Sequence, residues 1–383
     1  MYRRALDLAL IDEESCFLWG ARQTGKSTFL RERYPDAHYY DLLKSDQYRR
    51  LINEPSLLRE ELTALNVSAD TQITPVIIDE VQKIPELLDE IHWLMENRGV
   101  RFVLCGSSAR KLRRGHANLL GGRAIRYELY PLTYGEVPQF DLIRALNRGL
   151  LPRMYDSAHY PRLLQSYVSD YLREEIAAEA LTRNVPGFSR FLDVAALSNG
   201  EVISYQNIAS ECGVSAPTVK EYFQILEDTL VGTAVPAFRK KAKRRVILSP
   251  KFFLLDVGLV GFLCKRGKIE YGSSTFGRAF EHFIFMELRA SSSYSEEFYP
   301  INYWRTASGF EVDFILGSGE LAIEVKSSRQ VNYRHLKGIR AFAEEHAPRR
   351  CIVVSCDRAP RKTEDGIEIL PWQHFLQILS EGL

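Results

Sequence analysis

No stretch of this 383-residue chain approaches the run of about 18 apolar residues that a membrane-spanning helix needs, so no membrane partner is expected. The opening residues, MYRRALDLALIDEES, lack the apolar core of a secretory signal. Cysteine is scarce. Its six copies, at 16, 105, 212, 264, 351 and 356, never show C-x-x-C spacing. That scatter argues against a disulfide frame or a zinc site and fits reduced thiols in a cytoplasmic protein. An excess of one charge is also missing. With 50 basic and 49 acidic side chains, the formal net charge of +1 gives no bulk attraction to nucleic acid, so any such contact must come from local clusters. No repeat and no low-complexity tract is present. What remains is 45% hydrophobic and 26% charged, ordinary for a folded chain of two or three domains at roughly 100–200 residues each.

The pattern is α/β. Short apolar runs at Cys16-Phe17-Leu18-Trp19, Val76-Ile77-Ile78 and Arg101-Phe102-Val103-Leu104 alternate with helical patterns such as Leu87 to Met95. Strands alternating with helices imply a parallel sheet covered on both faces. Residues 150 to 235 read mostly as helices. Two short strands follow, Val246 to Leu248 and Phe252 to Leu255, around Ser249-Pro250. A helix at 277–290, strands near 300–305, 310–316 and 321–326, a helix near 334–346 and a strand at Ile352 to Val354 suggest a separate α/β part. The expected division is 1–145, 146–265 and 266–383.

Gly20-Ala21-Arg22-Gln23-Thr24-Gly25-Lys26-Ser27, followed by Thr28, matches G-x-x-x-x-G-K-[ST] between an expected strand and an expected helix. The two glycines let the backbone turn sharply and approach phosphate oxygens. Loop N–H groups and a helix N-terminus then face the anion. Lys26 would reach the β- and γ-phosphates of ATP, and Ser27 would offer its hydroxyl to Mg²⁺. The strand Val76-Ile77-Ile78 ends in Asp79-Glu80. Asp79 would hold the metal through water and Glu80 would polarise the attacking water; such a pair can also simply cap a helix. A third strand ends in Cys105-Gly106-Ser107-Ser108, where Ser107 or Ser108 could sense the γ-phosphate or cap a helix at 109–114. Arg123 is a candidate arginine finger, acting in its own subunit or a neighbour's, or a loop arginine in an ion pair.

These segments, with Ile78-Asp-Glu-Val-Gln-Lys-Ile-Pro85 and Gly122-Arg123 through Tyr130-Pro-Leu132 to Glu136, resemble the prokaryotic AAA+-related ATPases. More narrowly, they resemble the subgroup with a C-terminal domain of unknown function. The resemblance covers nearly the whole chain. It implies a P-loop ATPase core, a winged-helix middle and a nuclease-like tail, and allows a homo-oligomer.

The middle has its own signals. Ile203 to Gly213 and Val214 to Leu226 read as helix-turn-helix, with Gly213 at the turn and Val219, Phe223 and Leu226 as an apolar stripe. Lys220 lies on the second helix. Six of the seven residues from Arg239 through Lys240, Lys241, Lys243 and Arg244 to Arg245 are basic and read as a hairpin tip or wing. Contact with the DNA backbone is one reading; a packing module is the other.

In the tail, Glu311 and Asp313 alternate along one strand, and Glu324 and Lys326 share a face of the next. Asp313-x₁₀-Glu324-x-Lys326 resembles the D-x(n)-E-x-K core of restriction-endonuclease-like folds, and Glu281 matches that family's upstream acid. On that resemblance, Asp313, Glu324 and Glu281 would bind Mg²⁺, and Lys326 would orient water. Strand acids facing a lysine can equally form a structural ion-pair network. The leading expectation is an ATPase acting on or near DNA. The alternatives are a nucleotide-gated switch that recruits a protein partner and an ATP-controlled metal-dependent nuclease.

Overall fold

The computed structural model describes residues 2–108, 120–176, 184–240 and 244–382. The helix expected at 109–114 and the basic residues Lys241 and Lys243 lie outside the described residues. The chain divides into two compact units, Arg3–Tyr130 with Asp228–Leu230, and Pro131–Glu227 with Val231–Leu383. Apart from Asp228–Leu230, residues 146–265 and 266–383 thus fall in the same compact unit.

The first unit is built on a five-stranded sheet. Its strands are β1 (Ser15–Trp19), β2 (Tyr39–Asp41), β3 (Val76–Asp79), β4 (Phe102–Gly106) and β5 (Ala124–Glu128). Their order is β2-β3-β4-β1-β5, and every pairing is parallel. Strands β1, β3 and β4 are buried at every position, as a sheet covered on both faces requires. Helices α1 (Lys26–Arg33), α2 (Ser45–Asn53), α3 (Leu57–Ala64) and α4 (Leu87–Arg98) connect them. One core joins Phe17, Trp19, Ile78 and Leu104 of the sheet to Leu51, Leu58, Leu62, Leu87 and Leu94 of the helices. Each such side chain contributes roughly 1.5–3 kcal/mol by leaving water. Strands β2 and β5 were not expected from the sequence: β2 has only three residues, and β5 carries no apolar run like those of β1, β3 and β4.

In the second unit, α5 (Leu142–Arg148), α6 (Val185–Leu197), α7 (Tyr205–Cys212) and α8 (Ala216–Asp228) precede the hairpin of β6 (Gly232–Val235) and β7 (Lys251–Leu254). Then come α9 (Val257–Leu263) and α10 (Phe276–Tyr294). The remaining strands are β8 (Ile301–Arg305), β9 (Glu311–Leu316), β10 (Leu321–Lys326), β11 (Arg350–Ser355), β12 (Arg361–Lys362) and β13 (Glu368–Pro371). Helices α11 (Lys337–His346) and α12 (Trp372–Glu381) complete the unit. The mixed sheet runs β12-β13-β11-β10-β9-β8. One core holds Phe283 and Phe285 of α10 with Phe314, Ile323 and Trp372; a second holds Phe342 of α11 with Trp304 and Ile315.

On both sides of residues 241–243, the described residues between β6 and β7 pair with the edge strand β8. Phe238 N–H donates to the Tyr303 carbonyl at 2.7 Å, and Tyr303 N–H donates to that of Pro236 at 3.0 Å. On the return, Ile247 N–H reaches the Arg305 carbonyl at 2.9 Å. An edge strand presents unpaired backbone groups, and this segment satisfies those of β8. Residues 246–248 therefore make only a bridge to Thr306, not a strand of their own.

Glu287 of α10 is buried, and its carboxylate accepts the Tyr134 N–H at 2.8 Å. Burial pushes its pKa up to about 8, against the pull of that hydrogen bond. A raised carboxyl pKa stabilises the fold at low pH, and that contribution is lost as pH climbs from the ordinary glutamate value through about 8. Glu287→Gln keeps the acceptor and removes the charge. Thermal melts should show the variant gaining on the wild type above pH 8 by on the order of 1–3 kcal/mol, with the gap closing near pH 5. An equal gap at both pH values would remove Glu287 as the cause.

Candidate functional site

The loop after β1 and the start of α1 form the first part of the site. Gly25 has φ +95° and Gln23 φ +64°, so the loop makes left-handed turns before the helix begins. A Cβ on Gly20 would lie 2.6 Å from the Leu129 carbonyl oxygen, which leaves no room there for any larger residue. Thr24 is buried, and its hydroxyl donates to the Ala21 carbonyl at 2.9 Å. The Lys26 ammonium is buried and donates to the carbonyls of Gly20 at 2.6 Å and Ala21 at 3.1 Å. Arg22, Gly25 and Ser27 are half-buried, while Gln23 and Thr28 are exposed. Sequence reasoning missed Arg4, whose guanidinium donates to the Thr24 and Tyr130 carbonyls, both at 2.6 Å, and ties the loop down from outside.

Strand pairing brings the second part alongside. β4 lies between β1 and β3, with Trp19 opposite Gly106 and Asp79 opposite Cys105. Asp79 and Ser107 therefore leave the sheet at the same edge as the phosphate loop. Asp79 is buried. One of its oxygens accepts from the Tyr39 hydroxyl at 2.6 Å, and the other, Oδ1, has no hydrogen-bond partner. A buried carboxylate oxygen left open fits a water-held cation. Burial, then Asp79, raises the Tyr39 pKa, so the phenol keeps its proton and donates it. Arg31 of α1 lies 4.8 Å from the Tyr39 ring centroid and 3.0 Å from Asp41, a neutralising layer with no sequence motif.

Glu80 takes a left-handed conformation, φ +62°, and accepts a short hydrogen bond from the Gln82 amide. The same amide donates to the Ser107 hydroxyl at 3.2 Å, so Gln82 links the two candidate groups. Ser108 is buried beside them. A Cβ on Gly106 would lie 2.3 Å from Gln82 Oε1 and 2.6 Å from the Trp19 ring. Gly106→Ala must therefore displace Gln82 and release Glu80. An ångström-scale misplacement of a reacting group can lower turnover about 10²-fold. The expected result is a kcat loss of at least about tenfold with ATP affinity changed less than about threefold, measured by phosphate release and nucleotide titration. An unchanged kcat would mean that Gln82 positions nothing. Arg123 is half-exposed and pairs with Glu96 of α4 at 2.6 Å.

The second unit places the other candidates. Lys220 lies exposed on α8, 5.2 Å from the Tyr205 ring centroid. Arg239, Lys240 and Arg245 are exposed. Arg244 is not free for a ligand. It pairs with Glu344 at 2.9 Å and Glu345 at 3.1 Å and packs over Phe310.

The tail acids meet, but around a residue that the sequence had not suggested. Lys251, the first residue of β7, points its ammonium at Glu281 Oε1 (3.2 Å), Glu311 Oε1 (2.7 Å) and Asp313 Oδ1 (4.0 Å). Its side chain is only 3% exposed. Burial opposes its charge, yet Glu281, Asp313 and Glu311 together hold its pKa above the ordinary lysine value. Glu281 is pushed up to about 7, by burial first and Asp313 next, against Lys251. On β10, Glu324 is paired with Lys326, and its Oε2 is buried without a partner. Burial, then Asp313, raises Glu324 well above its usual range, while Lys326 rises because Glu324 and Asp313 outweigh its own burial. Asp313 Oδ2 accepts the Val325 N–H at 2.8 Å, which joins β9 to β10. Among the described residues no three His, Cys, Asp or Glu side chains gather in an arrangement that would hold a metal ion. The cation beside the expected ligands is the Lys251 ammonium, 3.2 Å from Glu281 and 4.0 Å from Asp313.

Three family models match in succession. One described as "AAA domain" covers residues 12–138, "Domain of unknown function (DUF8612)" covers 139–269, and "Domain of unknown function (DUF4143)" covers 276–375. An uncharacterized protein of Mycobacterium tuberculosis is 26% identical over 325 residues, 81% of this chain and 68% of that one. Another, from Methanocaldococcus jannaschii, is 22% identical over 354 residues, 84% of this chain and 76% of its own. Among solved structures, the Walker-type ATPase of Pyrococcus abyssi is similar at TM-score 0.43 and 14% identity, over 67% of this chain and 92% of that one. The parallel five-stranded sheet with the glycine loop at the ends of its strands gives the first unit a P-loop NTPase fold, and residues 12–138 are similar to the AAA domain. Among the described residues no helix is long and apolar enough to cross a membrane.

Proposed function

We propose that this chain is a cytoplasmic, Mg²⁺-dependent ATPase whose nucleotide site is Gly20 to Thr28 with Asp79, Glu80 and Ser107. The observation that carries the reading is the convergence of these groups where three adjacent parallel strands end. The loop N–H groups and the α1 N-terminus would cradle the phosphates. Lys26, now held by two loop carbonyls, would turn its ammonium to the β- and γ-phosphates. Ser27 and the open Oδ1 of Asp79 would hold Mg²⁺, directly and through water. When bound, the metal would neutralise charge on the β- and γ-oxygens. Glu80, kept in place by Gln82, would orient the attacking water, and Ser107 would meet the γ-phosphate. The test is direct: purified chain should bind a fluorescent ATP analogue and release phosphate only with Mg²⁺ present. Binding that is undetectable at millimolar nucleotide would end the proposal.

A second element of the reading is action on or near DNA. It is supported by the exposed cations Lys220, Arg239, Lys240 and Arg245. It leaves out Arg244, which is committed to Glu344 and Glu345. In this reading the tail is a nuclease-like docking domain beside a winged helix. Phosphate contacts release counterions, so each lost contact lowers the slope of log K against log salt by about 0.9. Arg239→Glu with Lys240→Glu should weaken binding to labelled duplex about tenfold or more at low salt and flatten that slope by about two. Duplex binding that is absent from the wild type, or indifferent to the substitution, would leave the ATPase with a protein partner instead.

A further inference from the structure

Lys251 reaches the tail acids from outside their own part of the sequence. It opens β7, which pairs with β6, with Lys251 itself opposite Val235 and bridged to Val202. Its backbone is therefore fixed by two neighbours, and its side chain enters the acid cluster as a tethered cation. Glu281 comes from α10, and Glu311 and Asp313 from β9, so three acids from two elements converge on one ammonium. A divalent ion such as Mg²⁺ needs oxygens at about 2.0–2.1 Å in a near-octahedral set. An ammonium 2.7 Å from Glu311 and 3.2 Å from Glu281 takes up those lone pairs, fills the space between them and repels a second cation. On the adjoining strand Lys326 pairs with Glu324 Oε1, while Glu324 Oε2 is left without a partner.

We infer that Lys251 is a built-in counter-ion that takes the place of a divalent metal among Glu281, Glu311 and Asp313, so that the carboxyl-terminal sheet forms a metal-independent, non-cleaving site. The acids, with Lys251 and with Arg305 at 3.6 Å from Glu311, form a structural ion-pair network that locks the β6–β7 hairpin to the sheet through β9 and α10. The residues do not fit the metal that their spacing suggests, and the misfit is supplied by a side chain 62 positions before Asp313. This inference stands or falls apart from nucleotide binding, because none of its residues belongs to the phosphate site.

The test is Mn²⁺ binding to the full chain without nucleotide, followed by electron paramagnetic resonance of the free ion. Wild type, Asp313→Asn, Lys251→Ala and the double variant would be compared. Wild type and Asp313→Asn should give the same isotherm up to about 1 mM Mn²⁺, the weak end of protein cation sites. Lys251→Ala should gain one site at least about tenfold tighter, and Asp313→Asn in that background should abolish it. A wild-type site that Asp313→Asn removes would overturn the inference. So would a Lys251→Ala protein, folded by circular dichroism, that gains no site. If Lys251→Ala does not fold, the comparison of wild type with Asp313→Asn decides alone.

Discussion

Lys26→Ala is expected to lower the affinity for ATP by about 100-fold and to abolish measurable hydrolysis. A buried lysine facing polyphosphate makes charge-assisted hydrogen bonds in a low-dielectric loop, and removing one partner of such a pair costs about 2–5 kcal/mol. Each 1.4 kcal/mol is a factor of about ten in Kd. Lys26 is only 6% exposed, and its ammonium lies against the loop, so the lost contact is not one that solvent would screen. Loop geometry should survive. The left-handed turn at Gly25, the Thr24 hydrogen bond and the Arg4 clamp do not involve the lysine side chain. Titration with a fluorescent ATP analogue reads Kd, and a melt controls for folding. Lys26→Arg should recover part of the affinity but little of the turnover, because a planar fork cannot occupy the position of a point charge. If Lys26→Ala bound ATP as wild type does, nucleotide would not rest on this loop.

The second large effect concerns stability. Lys251→Met should destabilise the second unit by about 3–5 kcal/mol at neutral pH, because it leaves buried carboxylates without their counter-charge. Methionine keeps most of the volume, so the loss reports charge and not a cavity. Glu281 faces Lys251 most directly from α10, and Glu311 from β9. Adding Glu281→Gln and Glu311→Gln to Lys251→Met should recover more than half of the loss, since a neutral network of the same shape can match a buried ion pair. Either glutamine substitution alone in the wild type should destabilise by a smaller amount, because the lysine keeps other partners. A double-mutant cycle on urea denaturation followed by tryptophan fluorescence separates these terms, and Trp304 of β8 reports from the same unit. A loss under about 1 kcal/mol for Lys251→Met would show that the acids hold themselves apart without it.

The phosphate loop was legible because all of its chemistry is local. Strand, glycine turn, lysine, hydroxyl and helix start lie within about ten residues, so spacing alone places them. Asp79-Glu80 and Ser107 were legible for a related reason, since each ends an apolar strand and parallel strands end at one edge. The groups that hold them were not. Tyr39, Arg31, Gln82 and Arg4 belong to no motif and act only because β2 pairs with β3 and the chain start crosses the loop. Arg244 reads as one of a run of basic residues and is instead an ion-paired residue packed on Phe310.

The tail divides in the same way. Alternation along β9 and β10 puts Glu311 with Asp313, and Glu324 with Lys326, from sequence alone, because strand side chains repeat every two residues. By itself, then, the sequence determined the sheet-and-loop scaffold, the placing of Gly20 to Thr28 between a buried strand and a helix start, and the fact that acids cluster near Asp313. Tertiary structure decided what those acids do. Pairing of β6 with β7 and docking of the intervening segment along β8 bring Lys251 into their midst, and no local pattern encodes a contact between residues so far apart in the chain. The physical reason is that periodicity reports which face a side chain occupies, while the partner across that face is chosen by which strands pair.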